Sequence, residues 1–296
     1  TEVTFDVIED IFIRLPVKHL LFRWLSKTSC GLLDGQDFIN HHLQLSIKTH
    51  SNLNLVLNNL HLYSVDLDSL LVIHDDAINS LSLDSLAHVT ELEQPNDGAQ
   101  VIASCNNWIC TVNIEDEIVL SNKTTNECHV VPDTSDELPH LMNYEKQSSP
   151  FYGFGYDSIN DDYKVLRVQQ FVSKDCNSFK SEATLYSVQR NSWRKTKGIP
   201  YYIHNPQEPG VLIGGTLHWL ASAPSCNVPC LIRTFDVAAE KYSVVPLSEG
   251  IDHRHRLTLR VLGGRLCVIR YGYKVGFHMW VMEDCMVEES WTKLLS

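Results

Sequence analysis

The fold is decided by the stretch Phe151-Tyr-Gly-Phe-Gly-Tyr-Asp-Ser-Ile-Asn-Asp-Asp-Tyr-Lys-Val-Leu-Arg167. Its middle, Asp157-Ser-Ile-Asn-Asp-Asp162, carries polar side chains that can accept hydrogen bonds from backbone N–H groups, as a β-turn requires. Gly153-Phe-Gly155 lacks the third glycine of a dinucleotide-binding fingerprint, and no helical pattern follows it. We therefore interpret the stretch as a strand packed between two sheets, a polar turn and a second strand.

A loose repeat of strand, polar turn and strand extends from about residue 101 to the end of the chain. Gly215 and Gly264 are separated by 49 residues, and so are Tyr186 and Phe235. A period of about 50 residues built from short strands is typical of the blades of a kelch-like β-propeller. A single irregular antiparallel sandwich is the alternative interpretation.

The first 45 residues have helical periodicity instead. One face of the first helix would carry Val7, Ile8, Ile11, Phe12 and Leu15. Pro16 ends that helix, because the residue before a proline is disfavoured in the α region, and it suits the first turn of a second helix. Near residue 50 the apolar period changes from 3.6 to 2, and residues 53–67 predict a β-hairpin.

These patterns predict an α+β chain with more than one domain. A small helical domain would cover residues 1–45, and a mainly antiparallel, kelch-like β-propeller domain would cover residues 46–296. The last repeat, from Met279 to Trp291, looks unfinished. We therefore expect the second domain to be incomplete at its C-terminal end.

Composition excludes some classes of partner. The formal net charge is −12, whereas general binders of nucleic acids or anionic membranes need clustered Lys and Arg. We therefore expect no nucleic-acid partner. We also expect no membrane partner, since in addition no apolar run approaches the ~18 residues of a spanning helix. The nine cysteines are odd in number and scattered, which favours reduced thiols and hence the cytoplasm or the nucleus.

Catalytic and metal-binding motifs are weak or missing. The chain has no Gly-x-Ser-x-Gly, no P-loop and no His-Glu-x-x-His. Cys226 and Cys230 have no matching second pair of zinc ligands, although His204 and His218 precede them. The turn at Asp157 lacks the spacing of a calcium loop. We expect no cofactor, no metal and no enzymatic activity, and we disfavour a propeller enzyme.

Two features are candidate contacts for a protein target. Arg254 and Arg256 belong to a basic cluster in an acidic chain, which is either a solvated loop or a patch for an acidic or phosphorylated target. Trp219 is either part of a blade core or part of a target pocket.

The residues quoted so far, with two further stretches, resemble a known family. Ile8-Glu-Asp-Ile-Phe-Ile-Arg-Leu-Pro-Val-Lys-His-Leu-Leu21 and Leu32-Leu-Asp-Gly-Gln-Asp-Phe-Ile39 resemble a plant F-box. Residues 151–167 are similar to the signature of the F-box-associated domain of those plants. Leu62-Tyr-Ser-Val-Asp-Leu-Asp-Ser-Leu70 is similar to the subgroup of the constitutive expresser of pathogenesis-related genes.

The resemblance implies a substrate-recognition subunit of an SCF-type E3 ubiquitin ligase. Such a subunit bridges a Skp-family adaptor protein, and indirectly a cullin scaffold, to a protein substrate that the sequence does not identify. The F-box would contact the adaptor through Ile8, Ile11, Phe12, Leu15, Pro16, Val17, Leu20 and Leu21. An apolar face of this size on a small helical module is typical of an interface.

Departures from the family pattern keep a second hypothesis open. Thr4-Phe5 stands where the family has Leu-Pro, the segment between Leu21 and Ser26 is one residue short, and Asn107 replaces a usual glycine. The alternative is a propeller-type protein-interaction module whose degenerate F-box no longer binds the Skp adaptor.

Overall fold

A computed structural model describes most of the β-rich part of the chain and less of its N-terminal part. The described residues are 11–15, 36–49, 54–58, 62–66, 89–92, 99–122, 125, 127–134, 144–146, 149–174, 178–203, 208–222, 231–248, 250–251, 257–262, 264–272, 276–284 and 287–295. The chain divides into two compact units, residues 1–99 and residues 100–296. No helix in these ranges is long and apolar enough to cross a membrane.

The first unit contains a helix and a small sheet. Helix α1 is Gln36–Thr49, and the strands are β1 (Asn54–Asn58), β2 (Leu62–Asp66) and β3 (Val89–Leu92). The antiparallel pair β1–β2 confirms the predicted hairpin, and β3 extends the sheet beyond β2. His42 Nε2 lies 2.9 Å from the carbonyl oxygen of Leu15, which ties α1 to residues 11–15. The helices predicted on either side of Leu15-Pro16 lie largely outside the described residues and stay predictions.

The described residues of the second unit form four antiparallel sheets, which we call blades 1 to 4. Blade 1 consists of β4 (Gln100–Cys105), β5 (Trp108–Val112), β6 (Ile118–Asn122) and β7 (Glu127–Val130). Blade 2 consists of β8 (Tyr144–Lys146), β9 (Phe151–Asp157), β10 (Asp162–Ser173), β11 (Phe179–Ser187) and β12 (Ser192–Thr196). Blade 3 consists of β13 (Val211–Ile213), β14 (Thr216–Ala221), β15 (Leu231–Asp236) and β16 (Lys241–Pro246). Blade 4 consists of β17 (Leu257–Leu262), β18 (Arg265–Gly272), β19 (Gly276–Met282) and β20 (Trp291–Leu295), with a short 3-10 helix at Glu288–Ser290.

Three apolar cores lie between consecutive blades. The core between blades 1 and 2 includes Leu120 and Phe154, and the core between blades 2 and 3 includes Phe151 and Phe235. The core between blades 3 and 4 includes Trp280. Both faces of blades 2 and 3 are therefore covered, because alternate residues of a strand point to opposite faces. Separate sheets stacked in chain order fit the predicted propeller-like domain better than a single sandwich.

The 49-residue repeat corresponds to equivalent positions in the blades. Gly215 and Gly264 lie in the turn between the first two strands of blades 3 and 4, with φ of +78° and +76°. Asn107 occupies that turn in blade 1 with φ of +66°. Asparagine adopts positive φ more readily than most residues, so this replacement of a family glycine is compatible with the turn. Tyr186 on β11 and Phe235 on β15 each lie in the strand before the last one of their blade.

Strand β9 confirms the interpretation of Gly153-Phe-Gly155 as a strand between two sheets. A Cβ atom on Gly153 would lie 2.5 Å from Leu217 Cδ1, and one on Gly155 would lie 2.9 Å from Leu212 Cδ1. Blade 3 therefore packs against the bare backbone of β9. On the opposite face, Phe154 packs into the core with blade 1.

The two compact units and the predicted domains are separated at different positions along the chain. Sequence periodicity placed it after residue 45, where helical spacing gives way to alternation, but α1 continues to Thr49. The compact units separate between Ala99 and Gln100, so the three-stranded sheet groups with the N-terminal residues. The domain boundary at residue 45 stays a prediction.

Candidate functional site

Each blade of the second unit has two ends with different connections. When β8 is left out of the count, the turns from first to second strand and from third to fourth strand share one end, which we call the turn end. The linker end carries the connections from second to third strand and the segments that lead to the next blade. Every described residue with positive φ except Asp116 lies at the turn end, namely Asn106, Asn107, Asp161, Asn191, Gly214, Gly215, Glu240 and Gly264.

A buried ionic network joins the turn ends of blades 2 and 3. Asp157, fully buried at 0% exposure, accepts hydrogen bonds from the backbone N–H groups of Ile159 (2.9 Å) and Asn160 (3.1 Å). Its carboxylate also lies 2.7 Å from Lys164 Nζ. Lys164 Nζ in turn lies 3.0 Å from Glu240 Oε1 in blade 3. Because the network spans two blades, these charges hold the blades together.

The charges in this network are stabilised against titration. Burial opposes ionisation of Asp157, but the hydrogen bonds from Lys164 and Asn160 outweigh it and lower its pKa to about 2. Burial likewise opposes the charge on Lys164, but the hydrogen bonds to Asp157 and Glu240 raise its pKa above the ordinary value. Both groups therefore stay charged across the physiological range.

The polar turn at residues 157–162 is a β-hairpin turn, as predicted. Asp162 accepts hydrogen bonds from Ser187 Oγ (2.6 Å) and from the backbone N–H of Gln189 (2.9 Å). With the donors already on Asp157, the carboxylates that invited comparison with a calcium loop are engaged by protein groups. Within the described residues, no group of three or more His, Cys, Asp and Glu side chains could hold a metal ion.

A polar cavity of about 220 Å³ lies toward the linker end of blade 2. It is lined by Thr134, Arg167, Gln169, Ser181, Glu182, Ala183, Thr184, Lys195, Thr196 and Gly198. Arg167 on β10 pairs in register with Thr184 on β11, and Thr184 pairs with Lys195 on β12. We call these three residues the Arg167–Thr184–Lys195 row. It places a hydroxyl group between two cations on one face of the sheet.

Strand length explains why this row borders a cavity and is covered by blade 1 only in part. The preceding row on the same face, Val165–Tyr186–Trp193, packs into the core between blades 1 and 2. Strands of blade 1 have four to six residues, whereas β10 has 12. The sheet of blade 2 therefore extends beyond the core that it shares with blade 1, and its next row borders a cavity.

Two contacts close the side of the cavity nearest blade 1. Trp193 donates its indole N–H to the carbonyl oxygen of Pro132 (2.7 Å), which holds the segment leading to Thr134. The Arg167 guanidinium lies 3.5 Å from the carboxylate of Asp116, which belongs to the β5–β6 connection. That connection lies at the linker end of blade 1.

The predicted adaptor-binding residues are only partly described. Ile11 is 51% exposed, and Phe12 and Leu15 are half-buried. The remaining five residues of the set lie outside the described residues, namely Ile8, Pro16, Val17, Leu20 and Leu21. The predicted adaptor contact therefore stays a prediction, with Ile11 as its most accessible described member.

The predicted target contacts have different positions. Arg254 and Arg256 lie outside the described residues. Trp219 is 2% exposed, and its ring packs edge-on against Phe151 in the core between blades 2 and 3. That position matches the blade-core interpretation and leaves little side-chain surface for a partner. As a target contact, Trp219 stays a prediction.

Sequence reasoning missed the Arg167–Thr184–Lys195 row. Arg167 ends the quoted signature, but nothing in the sequence marks Thr184 or Lys195 as its neighbours. Their proximity depends on the registers of two strand pairs, which one sequence does not show. The one signal in the sequence is a change along one face of β10. Val165 on that face is apolar, and the next residues on it, Arg167 and Gln169, are polar.

His218, considered earlier as a zinc ligand, is buried in blade 3. Its Nδ1 lies 3.2 Å from the carbonyl oxygen of Val211, and burial lowers its pKa. Its possible companions Cys226, Cys230 and His204 lie outside the described residues.

Comparison with known proteins identifies relatives along nearly the whole chain. Residues 66–295 match the family described as "F-box associated beta propeller domain". F-box protein CPR1 of Arabidopsis thaliana is 32% identical, over 99% of this chain and 72% of the relative. A second F-box protein of that plant is 26% identical, over 98% of this chain and 72% of the relative. An F-box/kelch-repeat protein of the same plant is 27% identical, over 98% of this chain and 78% of the relative.

Proposed function

Because the chain belongs to the family of plant F-box proteins with an F-box-associated β-propeller domain, we propose that it is the substrate-recognition subunit of an SCF-type E3 ubiquitin ligase. The observation that carries this proposal is the extent of the similarity. Relatives that are F-box proteins align over 98–99% of this chain, so the likeness includes its N-terminal residues. The role would be exercised in the cytoplasm or the nucleus.

In this proposal the two units have separate tasks. The N-terminal residues, including Ile11, Phe12 and Leu15, bind a Skp-family adaptor, which connects the chain to a cullin scaffold. The second unit binds the target protein. The chain contributes no covalent chemistry, because bringing target lysines close to the conjugating enzyme raises their effective concentration and so the rate of transfer.

The exposure of Ile11 supports the first task. An exposed apolar side chain contributes to an interaction surface when it belongs to a contiguous apolar patch, and the half-buried Phe12 and Leu15 are the described apolar residues nearest to Ile11 in the chain. Ile13, two residues away, is buried, so residues 11–15 have an inner and an outer side. We infer that the outer side contacts the adaptor.

The test is capture of the purified full chain by an immobilised Skp-family adaptor. We expect binding at micromolar concentration, and we expect Ile11→Asp to weaken it at least tenfold, because a charge would be buried in an apolar interface. Ile114→Asp is the matched control. It makes the same change at an isoleucine that is 92% exposed in the second unit, and it should leave binding unchanged.

A folded chain that does not bind the adaptor at micromolar concentration would overturn the ligase role. That result would support the alternative, an interaction module with a degenerate F-box. The departures from the family pattern at Thr4-Phe5 and between Leu21 and Ser26 are the sequence features behind this alternative.

A further inference from the structure

Thr184 is an exception among the hydroxyl-bearing residues of β11. Ser181 donates to the carbonyl oxygen of Ile199 (2.6 Å), Tyr186 donates to Asn191 Oδ1 (2.6 Å), and Ser187 donates to Asp162. Thr184 is 8% exposed, and its Oγ1 has no hydrogen-bond partner in the described part of the chain. Burying a hydroxyl group without a partner is unfavourable, so such a group in a cavity points to a ligand.

The neighbours of Thr184 specify the charge of that ligand. Residues directly opposite each other on antiparallel strands have Cβ atoms about 4.5–5.5 Å apart. Arg167 and Lys195 therefore flank the Thr184 hydroxyl from the two adjacent strands. We propose that the Arg167–Thr184–Lys195 row binds an acidic group, a carboxylate or a phosphoryl group, on a side chain of the target protein. This inference rests on the proposed function, because it takes the ligand to be part of a target.

Arg167 lies opposite Tyr152 of β9, and its carboxylate partner Asp116 is a weak competitor for such a group. Asp116 lies 3.5 Å from the guanidinium, beyond the usual distance of a charge-assisted hydrogen bond, and its side chain is 41% exposed. A long pair of this kind, with one exposed partner, contributes little to stability. An anion between Arg167 and Thr184 can accept hydrogen bonds from the guanidinium and from the hydroxyl group. It can therefore replace Asp116 beside Arg167 with little loss of stability.

The remaining lining residues suit an anion within a polar setting. Glu182 is the single acidic residue of the described lining, against the two cations of the row, and the other polar side chains there are neutral. The whole chain carries −12, so its long-range field does not attract anions. Recognition must come from these local donors. The cavity of about 220 Å³ is several times the ~30 Å³ that a water molecule occupies in the liquid, so it can admit a side-chain head group.

The test uses two simple anions as probes of the full chain. The unfolding temperature is measured with increasing inorganic phosphate or glutarate, at an ionic strength held constant with sodium chloride. We expect at least one anion to raise it in a saturable way, because a ligand of the folded state stabilises it. The two arms distinguish a phosphoryl from a carboxylate group.

Three variants assign the effect to the row. Thr184→Val keeps the shape and removes the hydroxyl, and we expect the apparent dissociation constant to rise roughly tenfold or more, as for loss of a hydrogen bond to a charged group. Lys195→Gln should raise it severalfold. Arg190→Gln is the control, since it removes a cation from the exposed β11–β12 turn of the same blade and should change nothing.

Three results would overturn the inference. They are stabilisation by neither anion, equal stabilisation of the wild type and Thr184→Val, and stabilisation by butylammonium instead of an anion, which would assign the cavity to a basic side chain. Adaptor capture is measured on the same variants. Anion binding without adaptor capture contradicts only the ligase role, and adaptor capture without anion binding contradicts only this inference.

Discussion

Lys164 and Arg167 are cations of the same strand, β10, but they face different blades and differ in how completely they are paired. Lys164 faces blade 3 at 7% exposure and contacts both Asp157 and Glu240 within 3.0 Å. Arg167 faces blade 1 at 13% exposure, and its carboxylate partner lies 3.5 Å away. The charge of Lys164 is committed to the fold. Arg167 is less completely paired, and in our proposal its charge serves a ligand.

The same contrast divides the signature at residues 151–167 into residues that pack the blades together and a residue that lines the cavity. Its glycines and Asp157 serve the junction between blades 2 and 3, where backbone and buried charge must fit closely. Only its last residue, Arg167, borders the cavity. Most of this stretch therefore serves packing between blades 2 and 3. The proposed recognition of a target depends mainly on Thr184 and Lys195, which lie outside the signature.

The largest effect should follow from Lys164→Met. This change leaves the buried carboxylate of Asp157 without its counterion, and breaking a buried pair from one side costs about 3–5 kcal/mol. The free energy of unfolding, measured by urea titration of the full chain, should fall by that amount.

Lys197→Met is the matched control, because it removes an exposed lysine of the same blade that lies outside the row. Exposed substitutions usually change stability by no more than about 0.5 kcal/mol. Equal losses for the two variants would show that the contrast between the two regions is wrong.

Gly153→Ala should have the next largest effect. The new Cβ would lie 2.5 Å from Leu217 Cδ1 and 2.9 Å from Trp219 Cζ2, both in a packed core. Overpacking of this kind costs about 1–3 kcal/mol. Gly250→Ala, where a new Cβ would lie 3.8 Å from Ser248 Oγ, should be nearly neutral in the same unfolding assay.

Acid should weaken the turn-end network by a smaller amount. The pKa of Asp157 is about 2 in the folded chain and about 3.9 in an unfolded one. Its ionisation therefore contributes stability that is fully present above about pH 4 and is lost as the pH falls through the folded pKa. The difference in unfolding free energy between wild type and Asp157→Asn should be constant from about pH 7 to pH 5 and shrink below about pH 4. A difference that stays constant down to pH 3 would contradict this.

The smallest effect, and one of opposite sign, is expected at the row. Thr184→Val removes a buried hydroxyl that has no partner in the described residues, so stability should be unchanged or slightly higher, by up to about 1 kcal/mol. Thermal and urea unfolding without added anions measure it. A loss above about 1 kcal/mol would mean that the hydroxyl is already satisfied in the free protein.

Local patterns in the sequence were sufficient to predict the strands and their repeat. Alternation of apolar and polar residues predicted the hairpin β1–β2, because it is visible within one segment. The 49-residue spacing of Gly215 and Gly264 predicted equivalent turns, because it is visible as a repeat along the chain. The candidate cavity could not be predicted in this way. It depends on the registers that align Arg167, Thr184 and Lys195, and on the greater length of β10 than of the strands of blade 1.

Strand β10 also carries two partners along one edge. Phe151–Asp157 pairs with its first part, and Tyr144–Lys146 pairs with Phe171, Val172 and Ser173. Gln169 and Gln170 of β10 lie between the two pairings and belong to neither of them. Because the two pairings are separate, backbone amides at opposite ends of β10 can exchange hydrogen for deuterium at different rates. The rate of deuterium exchange at the end of β10 that borders β8 therefore reports local opening at the linker end separately from unfolding of the whole blade.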